Sequence, residues 1–167
     1  MINKYMSCNL DLKKLMRIKE IEEKVFPEHM RQYEDIESMD DVDELTEDCS
    51  GEFFCHVEND WYILGCNSGD KVYVEDFASV KSLGLPELYA VVRLLRSFGD
   101  KIIKADFRQS TSYRLIKMAE KKNIVEIIDE TPWSWDGEKM SDITFKILPP
   151  VGVGTFREWL DGIGMLA

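Results

Sequence analysis

The sequence lacks the features that mark secreted, membrane and metal-binding proteins. No apolar run approaches the ~20 residues that a membrane-spanning helix needs. The first residues show no basic flank followed by an apolar core, so we expect no signal peptide and a cytoplasmic location. The four cysteines, Cys8, Cys49, Cys55 and Cys66, include no C-x-x-C pair, and only two histidines accompany them. We therefore expect reduced, structural cysteines and no metal.

Basic side chains are also fewer than acidic ones. The 167-residue chain has 21 Lys and Arg against 32 Asp and Glu, a formal net charge of −11. Such a charge repels nucleic-acid backbones and favours a basic or amine partner. Much of the acid lies between Glu34 and Asp48, where there is no Lys or Arg. We interpret this segment as a solvated helix and loop, with a substrate-facing acidic rim or a surface imitating nucleic acid as alternatives.

Composition and length indicate one globular domain. Hydrophobic residues make up 44% and charged residues 32% of the chain, which is ordinary globular usage. We expect a single domain over residues 1–167 with its core at about 11–148. The extension at 149–167, with one helical turn around 156–160, would either cover a sheet edge or form a homodimer contact.

The first half of the chain changes from helical to strand periodicity. Apolar residues spaced by three and four predict a helix that Asp11 caps and Pro27 stops. Its polar residues Lys13, Lys19, Glu22 and Glu23 are expected to face away from the core. A weak edge strand over residues 1–10 and a short helix within 39–45 are also expected. Three strands at 52–57, 61–64 and 72–78, with turns at 58–60 and 65–69, predict an antiparallel meander.

The second half alternates helices and strands. Pro86 suits a first helical turn and Gly99 suits the position after the helix. The pattern then predicts a strand at 101–105, a helix at 110–122, and strands at 123–128 and 143–148. We expect the last two strands to be joined by a loop that contains Pro132, Trp133 and Trp135.

This order of elements, together with three passages, resembles the GNAT family of N-acetyltransferases. The passages are Phe26-Pro27 after an amphipathic helix, Val72 to Leu88, and Ala105 to Ile116. The resemblance implies an α/β (α+β) fold: a mixed, mostly antiparallel central sheet of roughly six or seven strands with helices on both faces. It also implies that acetyl-CoA is the cosubstrate and that an amine of a small molecule or protein is the acceptor.

The resemblance places a coenzyme site around the turn after the third strand of the meander. A pyrophosphate needs free backbone N–H groups at a helix N-terminus. Gly84 and Lys81 fit this need, whereas Pro86 departs from the family's pattern and removes one donor. A plain strand-to-helix turn is the alternative. The implied coenzyme-binding residues are Phe77, Ala78, Ser79, Lys81, Leu83, Gly84, Leu85, Pro86, Ser110, Thr111 and Ser112, the last three with helix capping as the alternative role.

Amine acetylation also needs a base for the ammonium group and an acid for the departing thiolate. Under the resemblance, Glu75 is the candidate base and Tyr113 the candidate acid. Glu75 could instead be an outward-facing carboxylate, Tyr113 a packing residue, and His56 an alternative base. Asp76 is expected on the opposite face of the strand from Glu75.

Four residues are candidates for binding the acceptor: Phe26, His29, Trp133 and Trp135. The two tryptophans could stack on a substrate or partner, or fold back to close the sheet edge. Two other functions remain open. One is a non-catalytic GNAT-like binding or structural module, favoured by the incomplete phosphate turn. The other is an acidic decoy of a nucleic-acid-binding protein, favoured only by the charge.

Overall fold

The structure, a computed structural model, describes residues 10–47, 49–81 and 84–149. The chain divides between residues 82 and 83 into two compact units. The described residues form four α-helices and six β-strands, three strands in each unit, which is the mixed α/β architecture that the sequence predicts. A single domain over the whole chain stays a prediction. Of the edge strand expected over residues 1–10, all but Leu10 lies outside the described residues, and so does the helical turn expected around 156–160; Leu10 itself is not in a strand.

The first unit carries two α-helices and an antiparallel meander. Its elements are helix α1 (Leu12–Val25), a 3-10 helix (Glu28–Met30), helix α2 (Met39–Glu47) and strands β1 (Glu52–Val57), β2 (Trp61–Ser68) and β3 (Lys71–Ser79). The strands lie in the order β1-β2-β3, as predicted.

Helix α1 forms where its apolar spacing predicts. The Asp11 carboxylate accepts the N–H of Lys14 at 2.8 Å and so satisfies one donor of the first turn. Leu15, Ile18 and Ile21 are buried on one face of the helix. The other buried members of this core are Tyr33, Cys55, Tyr62, Leu64 and Ala78.

One polar residue of α1 departs from the prediction. Glu22 was expected to face away from the core, but it is buried and only 1% exposed. Its carboxylate accepts the N–H groups of Gln32 at 2.8 Å and Tyr33 at 3.0 Å. These bonds offset part of the cost of burying a carboxylate, and they fold the loop after the 3-10 helix back onto α1.

Strand β2 is longer than predicted. The turn expected at 65–69 is confined to Gly69 and Asp70, because Ser68 still pairs with Lys71. Gly69 has a φ of +64°, a left-handed conformation that glycine adopts without strain.

The prediction of reduced cysteines was wrong. A disulfide joins Cys49, after α2, to Cys66 on β2, with Cα atoms 5.6 Å apart. Cys55 is disulfide-bonded as well. Spacing alone could not predict the pair, because the two residues are 17 positions apart and come together only when the chain between them folds into β1 and the start of β2.

The second unit contains two helices and three strands. They are helix α3 (Leu85–Arg96), strand β4 (Ile102–Arg108), helix α4 (Tyr113–Lys121) and strands β5 (Val125–Trp135) and β6 (Glu138–Ile147). The strands are antiparallel in the order β4-β6-β5. Leu115, Ile116 and Ala119 form the buried face of α4, and this helix contacts β5.

The loop expected around Pro132 was wrong. β5 and β6 form a long hairpin whose turn is Asp136-Gly137, with φ values of +49° and +86°. Asp-Gly is a favoured pair for a two-residue hairpin turn with positive φ at both positions. Pro132 lies within β5, which pairs only with β6 among the described strands and can therefore tolerate a residue without an N–H.

No α-helix in the described ranges is long and apolar enough to cross a membrane.

Candidate functional site

A hydrogen bond between α4 and β5 defines the first candidate centre. The hydroxyl of Tyr113 donates to Oε2 of Glu130 at 2.8 Å. This bond raises the pKa of Tyr113 above its ordinary value, with partial burial and the negative charge of Glu130 adding to the effect. Tyr113 is therefore a neutral phenol at neutral pH, and its proton points at Glu130.

Two further residues, Gln109 and Ser141, extend this contact into a chain of hydrogen bonds that ends at Glu130. Nε2 of Gln109 donates to Oγ of Ser141 at 2.9 Å. Since Ser141 accepts that bond, its own proton is free for Oε2 of Glu130 at 3.3 Å. Ser141 is fully buried. We call Gln109, Ser141, Glu130 and Tyr113 the Glu130 network, in which the carboxylate is the final acceptor.

The hydroxyl residues before α4 bind the sheet. Oγ of Ser112 accepts the N–H of Arg108 at 3.1 Å and makes no capping bond to α4, so the capping alternative is wrong for this residue. Oγ of Ser110 donates to Glu138 at 3.3 Å, and Glu138 also binds Arg108 at 3.0 Å. Thr111 is exposed. The segment is held to β4 and β6 on both sides.

The start of α3 is the predicted phosphate site, and a side chain from the first turn of this helix caps it. The N–H of Gly84 donates to Oε1 of Glu87 at 2.8 Å, and Pro86 supplies no N–H. Leu85 opens the helix, whereas Leu83 lies outside the described residues. A carboxylate therefore occupies the helix N-terminus, where it stabilises the helix and repels an anion.

The predicted coenzyme residues of the first unit lie at the end of β3. Phe77 is half-buried and Ala78 is buried. Oγ of Ser79 donates to the Lys81 carbonyl at 2.8 Å, and Nζ of Lys81 lies 3.5 Å from a carboxylate oxygen of Asp60. Both side chains thus stabilise the turn after β3.

Alternation along β3 separates Glu75 from Asp76, as expected. Glu75 is exposed, whereas Asp76 is buried and accepts the hydroxyl of Tyr62 at 2.7 Å. Burial raises the pKa of Asp76 to about 7; its hydrogen bonds with Tyr62 and Tyr33 act in the opposite direction, and the nearby charge of Glu22 raises it further. Burial likewise raises the pKa of Glu22. Glu22, Asp76 and the two tyrosines, Tyr33 and Tyr62, are all buried in the core of the first unit.

The two tryptophans of β5 stack on each other. Their ring centroids are 6.4 Å apart at an interplanar angle of 17°. Nε1 of Trp133 donates to Oδ1 of Asp106 at 2.8 Å, so this ring folds back towards β4, yet it stays 39% exposed. Burial, opposed by this bond, raises the pKa of Asp106, and the charge of Asp142 contributes. Trp135 is half-buried.

The aspartate pair and the Glu130 network lie on opposite faces of the second unit's sheet. Asp106 pairs with Asp142, and Ser141 pairs with Phe107, the next residue of β4. Side chains alternate between faces along a strand. Within this unit, the side chains of Asp106 and Glu130 therefore cannot act on the same bound molecule from one face of the sheet.

The remaining candidates of the first unit are not gathered into one centre. Phe26 is half-buried against the core, and its carbonyl accepts Nε of Arg31 at 3.0 Å. His29 is exposed in the 3-10 helix. Nε2 of His56 lies 2.7 Å from a carboxylate oxygen of Glu58, so any base role for His56 would start from this hydrogen-bonded pair.

The acidic segment has its own internal bonds. The Asp41 carboxylate accepts the N–H groups of Glu37 and Ser38, which lowers its pKa. Across the described ranges, no group of three or more His, Cys, Asp or Glu side chains is placed to hold a metal ion.

Sequence reasoning did not select Glu130 or Ser141. The Asp136-Gly137 turn could have set the hairpin register and placed Ser141 beside Pro132, two residues from Glu130. No local signal predicts the contact with Tyr113, because it depends on how α4 packs against the hairpin.

Comparison with known proteins adds a structural likeness but no sequence relative. Neither a known family's sequence profile nor a curated protein matches the chain. The protein nevertheless has a GNAT-like fold, as the sequence resemblance predicts. The crystal structure of the ribosomal-protein-S18-alanine N-acetyltransferase from Escherichia coli is similar over 88% of this chain and 97% of that chain, with a TM-score of 0.55. At 12% sequence identity, this likeness establishes the fold alone.

Proposed function

We propose that this protein transfers an acetyl group from acetyl-CoA to an amine. The observation that carries the proposal is the structural likeness, which extends over 97% of the chain of an N-acetyltransferase. The Glu130 network adds support, since it holds a neutral phenol against a carboxylate at a half-buried position. Such a pair can move a proton during acyl transfer.

The proposed reaction forms a bond between the amine nitrogen and the thioester carbonyl carbon, and breaks the bond from that carbon to sulfur. The ammonium group must lose a proton and the departing thiolate must gain one. We propose Glu75 and Tyr113, the residues selected from the sequence, as groups that exchange protons with the reactants. Glu75 is exposed on β3, so its charge can also attract a cationic amine.

The proposed coenzyme contacts follow the family resemblance. The backbone of Phe77 and Ser79 would pair with the pantetheine arm, and Lys81 and Gly84 would face the phosphates. The Gly84 N–H is already bonded to Glu87, so a phosphate contact there requires this side chain to turn away. Coenzyme binding should therefore be weaker than at a helix start with free N–H groups.

The acceptor is proposed to be a cationic amine, because the chain carries a net charge of −11. The similar E. coli enzyme acts, by its name, on an alanine of ribosomal protein S18. For this chain both a protein and a small-molecule amine fit the proposal. Absence of nucleic-acid and membrane binding, a homodimer contact and a cytoplasmic location stay predictions.

Thermal unfolding with and without acetyl-CoA tests the proposal. At ~100 times its dissociation constant, a ligand stabilises the native state by roughly 2.7 kcal/mol, a shift of several degrees. We expect this shift in the wild type and its loss in Gly84→Glu. A Cβ at Gly84 meets no atom closer than 3.6 Å, so that variant should fold. Lys121→Glu, at an exposed site of the same unit, is the charge control and should keep the shift.

One observation favours a non-catalytic GNAT-like module instead. The Glu87 carboxylate satisfies the N–H that the resemblance assigns to phosphate, at 2.8 Å. A module that never binds coenzyme would have no use for a free helix N-terminus. Wild-type protein that shows no shift with acetyl-CoA or with free coenzyme A would support this second function and exclude the first.

A further inference from the structure

We infer that Glu130, acting through the Tyr113 hydroxyl, accepts the proton that the amine loses during acetyl transfer. The inference rests on the proposed function and names a residue that the sequence did not suggest. It also reverses the direction in which Tyr113 was expected to move a proton.

The contacts leave Tyr113 poorly suited to give its proton to a thiolate. Its only hydroxyl proton lies in the 2.8 Å bond to Glu130. Ser141 also donates to Oε2 of Glu130, so the carboxylate receives two donors at one oxygen. A carboxylate in this position holds on to the phenolic proton, which makes Tyr113 a weaker acid than a free tyrosine.

The same contacts suit transfer in the other direction. A tyrosine oxygen can accept a hydrogen bond while its O–H donates to another group. Lys117 shows that a cationic amine fits beside this pair, because its Nζ lies 5.7 Å from the centroid of the Tyr113 ring and 4.0 Å from Oε1 of Glu130. An alkylammonium group is thus already accommodated beside the pair, and an acceptor amine presents the same chemistry.

The step balances without a further reactant. One N–H proton of the ammonium passes to the Tyr113 oxygen as the phenolic proton passes to the Glu130 carboxylate. The neutral amine then forms its bond to the thioester carbonyl carbon, and the bond to sulfur breaks. The nitrogen gives its second proton to water, and the thiolate takes one proton from water, so the amide and the thiol are both neutral. Glu130 returns its proton through Tyr113 to solvent before the next turnover. Ser141 and Gln109 orient the carboxylate throughout.

The first test needs no turnover. Wild type, Glu130→Gln and the control Glu126→Gln are labelled at the tyrosine Cζ atoms, and the Tyr113 signal is assigned with Tyr113→Phe. Glu126 lies on the same strand and pairs with Lys146 at 3.5 Å. We expect the Tyr113 pKa to fall towards its ordinary value in Glu130→Gln only. An unchanged Tyr113 pKa in that variant overturns the inference.

The second test compares two nucleophiles, an alkylamine that is protonated at neutral pH and hydroxylamine, which is largely neutral there. Loss of a general base costs roughly 10²-fold or more in rate, but only for a nucleophile that must be deprotonated. We expect Glu130→Gln and Tyr113→Phe to lose this much with the alkylamine and about tenfold less with hydroxylamine. A purely structural role would reduce both rates equally.

The Glu75→Gln variant separates the two candidate acceptors. Equal losses for both nucleophiles in Glu130→Gln, or a selective alkylamine loss in Glu75→Gln alone, overturn the inference while acetyl transfer stands. Absence of any acetyl-CoA shift in the wild type overturns acetyl transfer itself, and the role of Glu130 with it. The failure of the inference and the failure of the proposed function are therefore read from different experiments.

Discussion

At the scale of single residues, two carboxylates of the first unit, Glu22 and Asp76, are held in the core by neutral donors. Backbone N–H groups bind the first, and the hydroxyl of Tyr62 binds the second. Hydrogen bonds from neutral groups offset burial less completely than an opposite charge does. Part of the cost of burial therefore appears as raised pKa values, which tie the stability of this unit to pH.

The pKa of Asp76 is raised from 3.8 to about 7, and this shift determines whether the protein gains or loses stability as the pH rises. Between these values the native state holds a proton that the unfolded chain releases. The stabilisation is therefore complete below about pH 4 and lost as the pH rises through about 7. We expect the stability of wild type relative to Asp76→Asn to fall by about 4 kcal/mol across this range, measured by urea unfolding.

Asp70→Asn is the matched control for that series, since Asp70 lies exposed in the turn after β2. Its stability should run parallel to that of the wild type at every pH. A difference between wild type and Asp76→Asn that stays constant with pH would contradict the expected coupling.

At the scale of elements, periodicity predicted the parts whose structure is set locally. Helix α1 and strands β1 and β3 lie where apolar spacing places them, and β2 begins where predicted but continues to Ser68. Of the hairpin β5–β6, apolar spacing predicts only the two outer ends, because the residues around Pro132 alternate too little to indicate strands; an outer strand nevertheless tolerates this proline. The inward turn of Glu22 and the contact of Tyr113 with Glu130 join different elements, so no local pattern could predict them.

The hairpin turn gives a test of backbone conformation alone. Gly137 has a φ of +86° and nothing within 4 Å of an added Cβ. Gly137→Ala should therefore destabilise the protein by about 1–2 kcal/mol through backbone strain. Gly84→Ala is the control, because the φ of Gly84, −114°, suits any residue and an added Cβ would come no closer than 3.6 Å to another atom. Equal melting temperatures for the two variants would argue against the turn as described.

The start of α3 gives a second test at this scale. Glu87→Gln keeps a side-chain oxygen that can accept the Gly84 N–H but removes the negative charge from the helix N-terminus. If this turn faces phosphate, the variant should bind acetyl-CoA more tightly than the wild type, by a few-fold, since a charge near a helix end contributes ~0.3–1 kcal/mol. Isothermal titration calorimetry measures the change. An unchanged affinity would place the phosphates elsewhere.

At the scale of the whole molecule, the Cys49–Cys66 disulfide bears on where the protein works. Stable disulfides are rare in the reducing cytosol, so the predicted cytoplasmic location can be tested by trapping the thiols of the protein as it is isolated from cells. A bond that closes a loop of this length stabilises the folded chain by about 3 kcal/mol.

We expect Cys49→Ala/Cys66→Ala to lower the free energy of unfolding by about that amount. Urea unfolding of the variant and the wild type, both without reductant, measures the loss. Because Cys55 is also disulfide-bonded, adding dithiothreitol to the wild type should cost at least as much. A double variant as stable as the wild type would contradict a stabilising bond.

Strand β5 is the outer strand of the second unit among the described strands, and its sequence affects how the protein behaves in a crowded solution. An outer strand with a full row of N–H groups can recruit a strand from a neighbouring molecule. Pro132 interrupts that row, and the exposed carboxylate of Asp129 repels a second acidic chain. We therefore expect Pro132 to hinder the pairing of β5 with a strand of another molecule.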